Sequence, residues 1–192
     1  FQGEVSSHKW KRRRTEPRRL VLLLDVSGSM AAYSRSMLQF AHAAARNNAK
    51  VEVFCFGTRL TRITQSLRQR HREDALHAAL AGVSDWEGGT RIGECIGVFL
   101  RTYGRHVLSR GALVVICSDG LERGDPAFLA KQMARLQRLA HQTVWVNPLK
   151  GDPEYLPLAR GMHAALPYID TFIPGHNLAS LEALADVLKQ AA

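Results

Sequence analysis

The apolar run Leu20-Val21-Leu22-Leu23-Leu24 has the length of a β-strand and stops abruptly at a carboxylate, Asp25. Hydroxyls follow at Ser27 and Ser29, with Gly28 between them. A strand buried on both faces reads as a continuous apolar run, as in a parallel sheet covered by helices. The pattern therefore predicts a first strand over residues 20–26 and a helix over 33–47, whose apolar stripe is Met37, Leu38, Ala41, Ala44 and Ala45. Further strands are predicted at 51–56 and, after a three-residue gap that permits an antiparallel edge hairpin, at 60–64. Helices are expected at 72–82 and 92–103, the second opened by the loop Asp85-Trp86-Glu87-Gly88-Gly89-Thr90-Arg91. Residues 113–117 repeat the opening theme, an apolar strand ending in Ser118-Asp119-Gly120. A helix at 126–140, a strand at 143–146, a short helix at 154–162, a strand at 168–173 and an amphipathic helix at 178–190 complete the reading.

Strands alternating with helices predict an α/β fold, a doubly wound, mostly parallel sheet flanked by helices on both faces, with one antiparallel edge strand. Ligands of such sheets bind beyond the carboxyl ends of the strands, where the winding reverses. If the strands at 20–26 and 113–117 are neighbours at that reversal, Asp25 and Asp119 arrive side by side. The Gly89-Thr90 loop then supplies a third hydroxyl.

Composition adds boundaries. A length of 192 residues suits one domain with a sizeable core. The formal charge of +9 draws in part on Lys9, Lys11, Arg12, Arg13, Arg14, Arg18 and Arg19 ahead of the first strand. Without interleaved aromatic residues or a reading helix, that stretch reads as a solvated linker over residues 4–19, and no nucleic-acid partner is expected. Phe1-Gln2-Gly3 reads as the remnant of a tag-cleavage site, which leaves residues 20–192 as a domain excised from a longer protein. The three cysteines, Cys55, Cys95 and Cys117, form no C-x-x-C pair, and two of them lie in apolar runs; this argues for a reducing compartment, expected to be the cytoplasm. No apolar stretch reaches the roughly 20 residues of a membrane span.

Asp25, Ser27 and Ser29 offer only oxygen donors, and Gly28 lets the chain turn tightly enough to aim them at one point. Hard cations such as Mg²⁺ take ligands of this kind. Taken alone, the segment also reads as an ordinary strand-to-helix turn with a Ser or Asp cap. Catalysis is the competing class, in the form of Mg²⁺-dependent phosphoryl transfer from a strand-tip Asp. Against it, Ser27 occupies the second acidic position of an Asp-x-Asp phosphatase, and the G-x-S-x-G elbow, the G-x-x-x-x-G-K-[ST] loop and the H-E-x-x-H pair are all absent. His42, His77, His141, His163 and His176 are scattered and read as surface or packing residues. A structural scaffold with a vestigial site is a third class, which a missing ligand would favour.

Asp25-x-Ser27-x-Ser29, Thr90 and Asp119 together resemble the metal-ion-dependent adhesion site (MIDAS) of von Willebrand factor A (VWA) domains, with all five positions of the expected type. The resemblance implies Mg²⁺, or Mn²⁺ in its place, with Ser27, Ser29 and Thr90 as direct ligands and Asp25 and Asp119 completing the inner or outer shell. A narrower likeness runs through Phe56-Gly57-Thr58-Arg59-Leu60-Thr61, Gly88-Gly89-Thr90-Arg91-Ile92-Gly93, Trp145-Val146-Asn147-Pro148-Leu149 and Ala165-Leu166-Pro167-Tyr168. These segments resemble the CoxE-like VWA family of bacteria and archaea, named after an accessory protein for maturation of carbon monoxide dehydrogenase. Members typically carry an additional amino-terminal region and work beside MoxR-type AAA+ ATPases in metal-cofactor insertion or client remodelling. The likeness thus implies a protein-binding module rather than an enzyme, with a partner Glu or Asp taking an open position on the metal. Met30, Tyr33 and Arg91 are expected at the rim.

Overall fold

The computed structural model describes residues 18–82, 89–109, 111–177, 180, 182 and 184–186. The predicted tag remnant, all of the linker but Arg18 and Arg19, and Asp85 to Gly88 of the glycine-rich loop lie outside them. So does most of the predicted last helix, although residues 180, 182 and 184–186 are helical and Leu184 is buried.

Strands β1 (Leu20–Asp25), β2 (Val51–Phe56), β3 (Leu60–Arg62), β4 (Leu113–Cys117), β5 (Gln142–Asn147) and β6 (Thr171–Pro174) form one sheet in the order β3-β2-β1-β4-β5-β6. All pairings are parallel except β2 with β3, as the sequence predicted. Helices α1 (Ala31–Asn47), α2 (Thr64–Leu67), α3 (Arg72–Ala81), α4 (Ile92–Thr102), α5 (Gly104–Val107), α6 (Pro126–Leu139) and α7 (Arg160–Ala165) cover it. Every residue of β1 is buried, because alternate side chains enter two separate cores. Leu20, Leu22 and Leu24 meet Met37, Leu38 and Ala41 of α1 and Leu76 and Ala79 of α3. Val21 and Leu23 meet Ile92, Ile96 and Phe99 of α4 and Leu129, Met133 and Leu136 of α6. Between them the two faces remove the large apolar side chains of the central strands from water, at about 1.5–3 kcal/mol for each fully buried one.

The departures from the sequence reading have local causes. The helix expected at 154–162 starts only at Arg160, because Pro157 cannot donate within a helix and disfavours the α conformation at Leu156. A 3-10 turn (Pro148–Gly151) precedes the expected span, and residues 155–158 form no regular element. The last strand starts at Thr171 rather than 168, after a 3-10 turn over Leu166–Tyr168 that Pro167 opens. The edge strand stops at Arg62, and Thr64 begins the helical turn α2, where its hydroxyl accepts from the Val53 amide at 2.9 Å. His42 is buried, with Nδ1 2.7 Å from the Leu67 carbonyl oxygen, a packing role as expected. No helix among the described residues is long and apolar enough to cross a membrane.

Candidate metal centre

β1 lies between β2 and β4, so the winding reverses between β1 and β4. Leu24 is in register with Cys117, which brings Asp25 beside Ser118-Asp119 at the carboxyl edge. Asp25 is the last residue of β1 and only 2% exposed, and Asp119 is 3% exposed. Beyond Asp25 the chain makes a 3-10 turn (Gly28–Met30) that leads into α1. Ser27 and Ser29 stand on this turn with their hydroxyl oxygens 3.2 Å apart. The Thr90 hydroxyl donates to Asp25 Oδ1 at 3.4 Å across 65 residues of sequence. Ser27, Gly28, Ser29, Gly89 and Thr90 share the wall of one cleft of about 690 Å³, and the two aspartates are buried beneath it.

The site is held by groups that the residue pattern did not single out. Ser118 donates its hydroxyl to Asp25 Oδ2 at 2.6 Å and accepts from the Gly120 amide at 3.0 Å. The backbone amide of Ser27 donates to Asp25 Oδ1 at 2.9 Å. Asp119 Oδ1 accepts from the Leu121 amide at 3.0 Å, and its carbonyl accepts from Asn147 Nδ2 at 3.2 Å. Gly120 has φ +81°, a left-handed conformation that glycine adopts without a steric cost, and a Cβ there would press on Met162. Glu122, also buried, accepts from the Gly93 amide at 2.8 Å and so closes the amino-terminal turn of α4. It also accepts from the Gly124 amide at 2.6 Å. The Arg123 amide donates to the Thr90 carbonyl at 2.9 Å, tying the two loops together a second time. The signal for Ser118 was its place between Cys117 and Asp119, but its role needs the β1–β4 pairing; nothing local marks Glu122, whose partner is 29 residues away.

Burial pushes the Asp25 carboxyl up to about 6 from 3.8; its hydrogen bonds from Ser118 and Ser27 oppose the shift, and the nearby Asp119 charge adds to it. Burial likewise raises Glu122, against the pull of its amide donors. A divalent cation is the natural counter-charge for such a carboxylate. Ligands at adjacent corners of an octahedron around Mg²⁺, each roughly 2.0–2.1 Å from the ion, stand about 2.8–3.0 Å apart. The 3.2 Å between Ser27 Oγ and Ser29 Oγ is close to that spacing, so the hydroxyl pair and the oxygen-only donor set fit a hard cation. Among the described residues no group of three or more His, Cys, Asp or Glu side chains is placed to hold a metal. The candidate is therefore a centre of mixed hydroxyls and carboxylates.

The expected rim is corrected. Met30 is 1% exposed, because the 3-10 turn rolls it inward. Tyr33 lines a separate hollow with Phe40 and His176. Arg91 points to Glu94 at 3.2 Å and does not line the cleft. The cleft wall is completed instead by Leu121, Glu122, Arg123, Leu158, Ala159 and Arg160.

The family model described as VWA domain containing CoxE-like protein matches residues 1–181. The chain belongs to this CoxE-like VWA family. No curated protein matches it by sequence. Among solved structures it is similar to an aerotolerance-related membrane protein of Bacteroides fragilis (TM-score 0.58, 15% identity, 90% of this chain and 99% of that one). It is also similar to proximal thread matrix protein 1 of the mussel byssus with a zinc-occupied MIDAS motif (TM-score 0.55, 14% identity, 91% and 47%). The pilus adhesin SpaC of Lactobacillus rhamnosus GG is similar too (TM-score 0.59, 14% identity, 94% and 30%). The CoxE-like VWA domain thus spans under half of the byssus protein and under a third of the adhesin, and these likenesses establish the VWA fold.

Proposed function

We propose that this CoxE-like VWA domain is a Mg²⁺-dependent protein-binding module, not a catalyst, that captures a Glu or Asp side chain of a partner. Ser27, Ser29 and Thr90 would hold the ion, or Mn²⁺ in its place, directly, with Asp25 and Asp119 balancing its charge from below. The ion supplies a positive centre that neutral hydroxyls leave largely uncancelled, so an outside carboxylate gains a charge-assisted contact. The observation that carries this reading is the convergence of Asp25, Thr90 and the Ser27–Ser29 pair from distant segments at one sheet edge.

The remaining residues organise the site. Ser118 and the Ser27 amide orient Asp25. Asn147 and the Leu121 amide fix the Asp119 turn. Glu122 and the Arg123 amide keep Thr90 in place. Kinship with CoxE-like proteins supports a MoxR-type AAA+ ATPase as companion and a metalloenzyme as client. Three buried free cysteines support a reducing, cytoplasmic setting.

The test is isothermal titration calorimetry of Mg²⁺ and Mn²⁺ against the wild type and the Asp25→Ala, Asp119→Ala double variant. It is paired with a pull-down from the native host with and without EDTA, read by mass spectrometry. The expectation is metal binding by the wild type alone and recovery of an ATPase or metalloenzyme only with the ion. Partner capture undiminished by EDTA and by the double variant would refute the proposal.

A further inference from the structure

The cleft above the hydroxyls has a second half that the metal reading leaves unused. Leu121 is 50% exposed and Leu158 is 80% exposed, an unusual outlay of leucine surface beside a polar site. Both line the same cleft as Ser27, Ser29 and Thr90. Leu158 is held out by a tight turn in which its amide donates to the Leu156 carbonyl at 2.7 Å, with Pro157 between. The start of α7 is pinned behind it, because Gly161 packs so closely on the Gly120 carbonyl that a Cβ would not fit. The leucine is therefore presented on a braced segment.

Two guanidinium groups join this apolar wall. Arg123 lies over Gly89, where its side chain fills the space a Cβ would take, and Arg160, the first residue of α7, lines the same cleft. Both are exposed, and among the described residues neither has an ion-pair partner. Among the described residues the acidic side chain in the cleft wall is Glu122, and its carboxylate is turned inward to the Gly93 and Gly124 amides. Arg presents a planar fork suited to a carboxylate. Hydroxyls for a cation, leucines beside them and two exposed guanidinium groups beyond thus share one concave surface.

We infer that the cleft selects a partner segment in which the captured acidic residue is flanked by an apolar side chain and a second carboxylate. The apolar residue packs on Leu121 and Leu158, and the second carboxylate is met by Arg123 or Arg160. This rests on the metal-dependent capture proposed above and adds the chemistry of what surrounds the captured residue. A basic segment meets like charge there and an uncharged polar one gains no ionic contact, in keeping with the net charge of +9.

The test is fluorescence polarisation in 5 mM Mg²⁺ or in EDTA, at low salt, with three labelled peptides. They carry Glu-Leu-Glu, Glu-Ser-Glu or Glu-Leu-Gln between Gly-Ser flanks. Glu-Leu-Glu is expected to bind in Mg²⁺ about tenfold more tightly than Glu-Ser-Glu, a fraction of full leucine burial, and about threefold more tightly than Glu-Leu-Gln, as for an exposed ion pair. Leu121→Ser with Leu158→Ser should erase the first preference, and Arg123→Ser with Arg160→Ser the second. These positions are exposed, so circular dichroism should report an unchanged fold. Equal Mg²⁺-dependent binding of all three peptides would overturn this inference and leave the metal reading standing. Preferences that persist undiminished in EDTA would refute the metal-dependent capture and, with it, the inference that rests on it, and no binding of any peptide in Mg²⁺ would likewise remove both.

Discussion

The middle of β1 and its carboxyl tip are one residue apart and obey opposite rules. Leu22, Leu23 and Leu24 are buried among apolar neighbours on both faces of the sheet, and their desolvation stabilises the fold. Asp25 is equally buried, yet burial disfavours its charge and three neighbouring donors compensate only in part. The strand interior makes the domain; the tip holds a destabilising group in a place where a cation would relieve it. Where along a strand the polar residue falls decides which of the two it serves.

Removing apolar volume from the interior is expected to give the largest effect. Leu22→Ala, at a fully buried position, should lower unfolding free energy in urea by about 2–5 kcal/mol without abolishing the Mg²⁺ response of whatever remains folded. A cost below about 1 kcal/mol would break the contrast.

The tip should behave in the opposite sense. The folded-state pKa of Asp25 lies above its unfolded value of 3.8, so the native form holds the extra proton. The stability this group contributes is fully present below pH 4 and is lost as pH rises through about 6, a fall of up to about 3 kcal/mol in metal-free protein. Asp25→Asn should flatten that part of the pH–stability curve measured by urea unfolding. At pH 7.5 the variant should be more stable than metal-free wild type, yet gain nothing from Mg²⁺ in thermal unfolding.

Smaller still is the cap across the two loops. Glu122→Gln keeps one acceptor oxygen but weakens the hold on Gly93 and Gly124, at a cost of about 1 kcal/mol. Amide hydrogen exchange at Ile92 and Gly93 should accelerate more than at the middle of α4.

The cysteines sharpen the interior side with almost no energetic disturbance. Burial pushes Cys95 and Cys117 up to about 12 and raises Cys55 further. All three should resist iodoacetamide at pH 8 until denaturant is added, as mass spectrometry would record.

Apolar continuity carried most of the fold, since Leu20–Asp25 and Leu113–Cys117 admit few readings other than central parallel strands. The five polar positions were legible because strand ends, hydroxyl alternation and glycine turns are local features. Ser118 and Glu122 were not, since their work consists of bonds to Asp25 and Gly93 across long stretches of chain. Met30 misled because a helical turn was read without its direction, and the 3-10 geometry faces it inward. The overextended helix at 154–162 could have been shortened from Pro157, and the same Leu156-Pro157-Leu158 run was the available hint of the leucine wall.

The double tie between the β4 tip and the head of α4, through Glu122 to Gly93 and Arg123 to Thr90, makes those two loops one mechanical piece. The Ser27–Ser29 turn is continuous instead with α1, on the opposite side of the sheet. A guest that pulls the two halves of the cleft together therefore loads a different helical layer from each side. Were a partner to dock at the mouth, its pull would pass to the flanks through whole helices, like the handles of a clamp.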